Sequence, residues 1–167
     1  MSIELIVLDV DGTLTDGKIT YANSGDELKS FCVKDGLAIA SWIRLGKKVA
    51  IITGRESDIV ARRAKELGIT HFHQGVHNKL EVLIDILHDV NLTMENVASI
   101  GDDLNDSVML NASKRSYVPN NASLHVKKNA DVILTRNGGD SAVREMIEEL
   151  IVLEDLEEDY LALWSEE

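Results

Sequence analysis

At 167 residues, with 44% hydrophobic and 4% aromatic content and a single proline, the chain has the size and composition of one globular domain with its own core. Ten of its 29 acids follow Arg144 and no Lys or Arg does, so the net charge of −12 is a C-terminal feature; residues 1–144 hold 19 acids against 17 bases, a net of −2. The absence of a basic stripe with interleaved aromatics excludes nucleic acid as an expected partner, the lone Cys32 excludes an internal disulfide and reads as a small buried hydrophobe in a reducing compartment, and with neither a signal peptide nor a membrane span expected, the chain is read as cytoplasmic.

The apolar run Leu5-Ile6-Val7-Leu8 reads as a buried strand ending in Asp9-Val10-Asp11-Gly12-Thr13. Alternation along a strand points Asp9 and Asp11 the same way, and Gly12 lets the chain turn sharply. Two carboxylates held close repel unless a cation lies between them or one keeps its proton. The pair therefore suits a nucleophile and its proton-transfer partner beside a hard ion with oxygen ligands, Mg²⁺; a solvated acidic turn is the alternative. Residues 18–21, the turn Asn23-Ser24-Gly25-Asp26 and residues 28–33 predict a β-hairpin projecting from the body. A helix follows near residues 37–45.

Residues 49–52 predict a strand running into Thr53-Gly54-Arg55 and a helix that Ser57 or Asp58 caps. A hydroxyl and backbone N–H groups there suit phosphate oxygens; an ordinary strand-to-helix turn fits as well. His71 and His73 share a face of a short strand, but nothing places His77 beside them, so no transition-metal site is expected. The Leu80/Leu83/Ile84/Leu87 pattern gives a helix starting near Asn78, with Lys79 where the helix dipole disfavours a cation. An anionic partner would explain that lysine, as would a solvated surface position.

Val97–Ile100 then delivers Gly101-Asp102-Asp103-Leu104-Asn105-Asp106. Alone this is an N-capping run; beside Asp9 and Asp11 it reads as the other wall of a Mg²⁺ site, with Asp102 as direct ligand. Residues 132–134 predict another strand and Val143/Met146/Ile147/Leu150 another helix. A last stripe, Leu153, Leu156, Tyr160, Leu163 and Trp164, has helical spacing with acids between and is expected to dock on the body or on a neighbouring subunit. The alternation predicts an α/β fold, a mostly parallel sheet with helices on both faces, as one domain over residues 1–153 with an acidic amphipathic tail over 154–167. No insertion is long enough to form a cap domain, so a site at the strand ends would be open unless a second subunit closed it.

Asp9-x-Asp11-Gly12-Thr13, Thr53-Gly54-Arg55, Lys79 and Gly101-Asp102-Asp103-x-x-Asp106 resemble, in order and spacing, the four motifs of the haloacid dehalogenase superfamily. Thr15-Asp16-Gly17, Phe31-x-Val33-x-Asp35-Gly36, Leu67-Gly68-Ile69, Gln74-Gly75, Asn78-Lys79 and Gly138-Gly139 with Ala142-Val143-Arg144-Glu145 are similar to its small capless branch, typified by 3-deoxy-D-manno-octulosonate 8-phosphate (KDO 8-phosphate) phosphatases. The resemblance covers about residues 3–150. It implies a Rossmann-like fold and a Mg²⁺-dependent phosphomonoesterase acting on a phosphorylated sugar acid in lipopolysaccharide biosynthesis. It also implies a homotetramer whose projecting hairpins assemble and whose neighbouring subunits cover each open site.

By position, the resemblance implies Asp9 as nucleophile and Asp11 as general acid/base. Asp9, Asp11 through its carbonyl, and Asp102 would hold Mg²⁺, with Asp103 and Asp106 behind them, and Thr53, Gly54 and Lys79 would hold the phosphoryl group. Asp11, Cys32, Val33, Lys34, Asp35, Gly36, Arg55 and Arg63 match positions on the substrate side. Related nonulosonate 9-phosphate phosphatases tend to carry an acid where this chain has Arg55 and a Lys where it has Glu66, so these two positions favour the eight-carbon substrate. The chain departs from the branch at Asp140-Ser141, where another glycine is usual, at Ala40, and in its acidic tail. A phospho-receiver switch also combines acids, Mg²⁺, Thr and Lys on a parallel sheet, but it places its lysine after the last strand, whereas Lys79 precedes the second acidic cluster.

Overall fold

Four apolar residues without a polar break form β1 (Leu5–Leu8), buried along its whole length, as a strand covered on both faces requires. The computed structural model describes residues 2–165. After β1 come β2 (Thr20–Tyr21) and β3 (Glu27–Leu28), a small antiparallel hairpin. The chain continues through α1 (Val33–Arg44), β4 (Lys48–Ile52), α2 (Asp58–Glu66), β5 (His71–His73), α3 (Lys79–Val90), β6 (Val97–Ile100), α4 (Ser107–Ala112) and β7 (Arg115–Val118). It ends with α5 (Leu124–Lys127), β8 (Val132–Ile133), α6 (Ala142–Leu153) and α7 (Glu157–Ala162).

The main sheet runs β5-β4-β1-β6-β7-β8 with every pair parallel. The chain builds outward from β1 to one edge, then returns to the other side of β1 and builds to the opposite edge. Such a reversal opens a crevice at the carboxyl ends of the strands beside it, here β1 and β6. Alternation sends Ile6 and Leu8 to a core shared with Ala38, Ile39 and Trp42 of α1 and Val143, Met146 and Ile147 of α6. Leu5 and Val7 face the other way, onto Leu83, Ile86 and Leu87 of α3 and Met109 of α4. Helices thus cover both faces, and no described helix is long and apolar enough to cross a membrane.

Four local expectations are corrected. The second hairpin arm pairs only over Glu27–Leu28 and does not reach Val33; beyond it the Lys29 side chain turns in to Asp11 and the chain leaves the ladder. Helix α1 begins at Val33, ahead of residue 37, because Asp35 in its first turn is anchored across the core, accepting from the Arg144 N–H at 2.9 Å. Cys32, at the N-cap position of α1, is only half-buried, its Sγ 3.6 Å from Ser141 Oγ. Strand β7 carries no apolar run: Ser116 bonds Asp131, and the Tyr117 hydroxyl accepts from Arg115. Ser57 stands at the N-cap of α2, but its hydroxyl donates to Glu27 Oε2 (3.1 Å) and does not cap the helix. The tail folds back on the body: Leu156 and Tyr160 pack against the core, and the Arg44 guanidinium lies 4.7 Å from the Trp164 ring centre and donates to the Leu163 carbonyl.

Candidate active site

Parallel pairing of Leu8 with Ile100 on one side and with Ile51 on the other brings the exits of β1, β6 and β4 to one level. Asp9, Asp102 and Thr53 leave from those exits, and the Asp9 N–H still donates to the Ile100 carbonyl. Gly12 takes φ +95°, and a Cβ there would run into the Asp102 carboxylate. Only glycine meets both conditions, so the loop after β1 can lie against the loop after β6. The resulting cleft of about 210 Å³ is lined by Asp9 and Asp11, by Thr53, Gly54 and Arg55, and by Asp102, Asp103 and Asn105.

Lys79, the first residue of α3, is buried, with its ammonium 2.6 Å from Asp9 Oδ1 and 2.6 Å from Asp106 Oδ1. Its awkward place at the positive end of a helix is thereby offset by two carboxylates. Asn78 caps the same turn, accepting from the Glu81 N–H. The other oxygen of Asp106 accepts from the N–H groups of Asp102 (2.9 Å) and Asp103 (3.2 Å), so both of its oxygens are engaged inside the protein. Asp103 caps the short turn that follows, accepting from the Leu104 N–H.

Carboxylate oxygens of Asp9, Asp102 and Asp106 lie within 4.8 Å of one another. Burial, then the Asp106 charge, pushes the Asp9 carboxyl up to about 8, against the pull of Lys79. Burial, then Asp106 and Asp103, lifts Asp102 to about 7. Burial pulls Lys79 down, but the Asp9 and Asp106 charges more than offset it and hold its pKa above the ordinary lysine value. One partner's shift favours the charged pair and the other's opposes it. Two carboxylates facing one ammonium at hydrogen-bond distance hold the lysine in its charged form. A single ammonium cannot neutralise three carboxylates, and the charge left over is what a divalent cation would remove. The donors are hard oxygens, so the residues fit Mg²⁺, and with Asp106 already engaged, Asp9 and Asp102 are the carboxylates free to hold it.

The Asp11 carboxylate is not in this group. Its Oδ1 accepts from Lys29 at 2.6 Å, and it is the family resemblance that implies the Asp11 backbone carbonyl as its contact with an ion. Asp35 is buried; burial lifts its carboxyl to about 6, against the bond from the Arg144 N–H. Cys32, Val33, Lys34, Asp35, Gly36 and Arg63 lie outside the cleft lining. Lys34 instead borders a hollow of about 450 Å³ with Arg136, Ser141 and Arg144, and Arg63 sits under Gly36 with its guanidinium 5.7 Å from the Phe31 ring. The acids converge at the smaller cleft, which makes it the candidate active site. His71 and His73 lie on the edge strand β5 and His77 is exposed; among the described residues no His joins a group that could hold a metal.

Sequence reasoning missed Lys29, Glu27 and Asn105. Alternation could have found the first two: Glu27 and Lys29 flank the exposed Leu28 and therefore share the opposite face. Glu27 accepts from Ser57 and from Arg55 (3.3 Å).

Residues 72–147 match the model of the haloacid dehalogenase-like hydrolases. The KDO 8-phosphate phosphatase KdsC of Escherichia coli K12 is 41% identical over 151 residues, 90% of this chain and 80% of that protein. The chain belongs to the KdsC family of haloacid dehalogenase-like hydrolases. A KDO 8-phosphate phosphatase from Moraxella catarrhalis, crystallised with magnesium, phosphate and KDO, is 37% identical with a TM-score of 0.94, covering 98% of this chain and 94% of that one. The cobalt-bound enzyme of Haemophilus influenzae is 36% identical with a TM-score of 0.89, covering 92% and 90%. In this KdsC-family chain the described residues contain no cap domain: between β1 and α1 the chain forms only the β2–β3 hairpin.

Proposed function

We propose that the chain, with residues 1–153 as its catalytic domain, is a Mg²⁺-dependent phosphomonoesterase that hydrolyses KDO 8-phosphate to KDO and inorganic phosphate in lipopolysaccharide biosynthesis. The observation that carries this is the buried Asp9–Lys79–Asp106 array, whose Asp9 lines one cleft with Thr53 and Asp102. Asp9 attacks phosphorus, and the bond from phosphorus to the sugar oxygen breaks as Asp11 gives that oxygen a proton. A water then attacks the aspartyl-phosphate, giving a proton to Asp11; the bond to Asp9 breaks and phosphate leaves. Lys79 holds one Asp9 oxygen still, so the attack needs little reorganisation, and Thr53 and the Gly54 N–H serve the phosphoryl oxygens. Bound at Asp9, Asp102 and the Asp11 carbonyl, Mg²⁺ supplies Lewis-acid neutralisation of phosphoryl charge.

At the mouth, Arg55 is held near the hairpin by Tyr21 and Glu27, and its planar guanidinium suits the carboxylate of a sugar acid. Arg55 and Glu66 favour the eight-carbon over the nine-carbon acid. A two-stranded hairpin alone is marginal in water, and this one exposes Tyr21 and Leu28; its assembly with three copies into a homotetramer would cover them and close the site. A reduced Cys32 accords with a cytoplasmic location. The test is phosphate release from a panel of sugar phosphates, including eight- and nine-carbon sugar-acid phosphates, with Mg²⁺ or EDTA. Release fastest from KDO 8-phosphate and lost in EDTA is expected; no metal-dependent release from any of them would overturn the reading.

A further inference from the structure

Lysine is almost never fully buried unless it is paired, yet the Lys29 side chain has 0% exposure although its neighbours Leu28 and Ser30 are exposed. Its ammonium lies 2.6 Å from Asp11 Oδ1, across 18 residues of sequence. Withdrawing an ammonium from water is costly, and a hairpin needing only solubility would leave it outside. Two residues earlier, Glu27 bonds Ser57 and Arg55. One face of the hairpin thus grips both the loop after β1 and the loop after β4.

We infer that Lys29 is a positioning residue that fixes Oδ1 of Asp11 so that Oδ2 meets the leaving oxygen, tying proton transfer to the seating of the hairpin. The inference rests on the phosphomonoesterase reading. In it Asp11 protonates the oxygen as the phosphorus–oxygen bond breaks, and Lys29 exchanges no proton. A misplaced donor matters most where the leaving oxygen is a poor leaving group: an alkoxide needs the proton, a nitrophenolate hardly does.

The experiment compares kcat/KM for KDO 8-phosphate and for p-nitrophenyl phosphate in wild type and Lys29→Met, with folding checked by circular dichroism. The sugar phosphate should lose roughly 100-fold, the scale of a displaced general acid, the aryl phosphate less than about 3-fold, and the inhibition constant of inorganic phosphate should move less than about 2-fold. In an Asp11→Asn background, Lys29→Met should cost less than about 2-fold further, since residues acting as one unit are not additive. Lys29→Gln is read in the same way, so a Met variant that does not fold leaves the comparison standing. Equal losses on both substrates, no loss on the sugar phosphate, or full additivity with Asp11→Asn would overturn the inference. Wild type releasing no phosphate from either substrate would instead sink the phosphatase reading beneath it.

Discussion

Replacing Asp102 with Asn preserves shape and removes one charge from the crowded end of β6. In the metal-free protein, burial and then the Asp106 and Asp103 charges lift this carboxyl from 3.8 to about 7. A carboxyl that binds its proton more tightly folded than unfolded opposes folding once ionised. Its penalty is absent below about pH 4, grows as pH rises, and levels off above about 7. A shift of that size corresponds to roughly 4 kcal/mol, and because Asp102 is partly open to solvent, screening reduces it to about 2 kcal/mol. The Asn variant in EDTA should therefore be more stable than wild type by about 2 kcal/mol at pH 8 and equal to it near pH 4, by urea unfolding followed with circular dichroism. Excess Mg²⁺ should reverse the order, because an ion that binds only the folded wild type stabilises it by mass action. A stability difference that stays flat between pH 4 and 8 would refute the charge-crowding argument. A variant stabilised by Mg²⁺ as much as wild type would remove Asp102 from the ligand set.

Asp9→Asn should lower turnover by roughly 10⁴-fold or more with an unchanged circular dichroism spectrum; wild-type rates would remove Asp9 as nucleophile. Lys79→Met strands Asp9 and Asp106 without their cation, and loss of one partner of a buried pair should cost about 3–5 kcal/mol in a denaturant melt at pH 8. The cost should grow as pH rises above about 8, because loss of Lys79 raises the Asp9 carboxyl further and the variant goes on losing stability where the wild type levels off. Asp35→Ala deprives the first turn of α6 of a hydrogen-bond acceptor from α1 and should cost about 1 kcal/mol in a urea melt near pH 4, the scale of a lost helix cap; the cost should fall as pH rises through about 6, where the wild-type carboxyl that burial lifts ionises and opposes folding.

Strands β1 and β4 were readable because their interior residues are apolar without interruption, and β6 because Ser99 is its one polar residue; the residues just after them line the candidate site. Lys79 was readable only in part: a cation at the wrong end of a helix points to an anion but also fits a solvated position, and the fold decides between them by setting Asp9 and Asp106 against it. Strand β7 was hidden because its polar residues find partners in Asp131 and Glu149, a satisfaction no local pattern announces. Lys29 and the anchoring bond of Asp35 were hidden for a related reason. Each acts across the fold, on Asp11 and on the Arg144 backbone 109 residues away, and neither spacing has a period to find.

Alternation alone gives Asp9 and Asp11 equal standing, since both emerge on one side of the chain. The fold separates them through their cations. Lys79 comes from α3, and with it the Asp9 side chain is held at 6% exposure; Lys29 comes from the hairpin, and the Asp11 side chain stays 22% exposed. A carboxylate held in a dry, fixed position suits in-line attack, whereas a proton carrier must meet first a leaving oxygen and then a water. In the proposed mechanism, the division of labour between two identical side chains follows from which lysine reaches which acid. One of those lysines belongs to a hairpin that contributes nothing to the main sheet, so in that mechanism the hairpin's place at the mouth of the cleft is part of the catalytic geometry as well as of the surface.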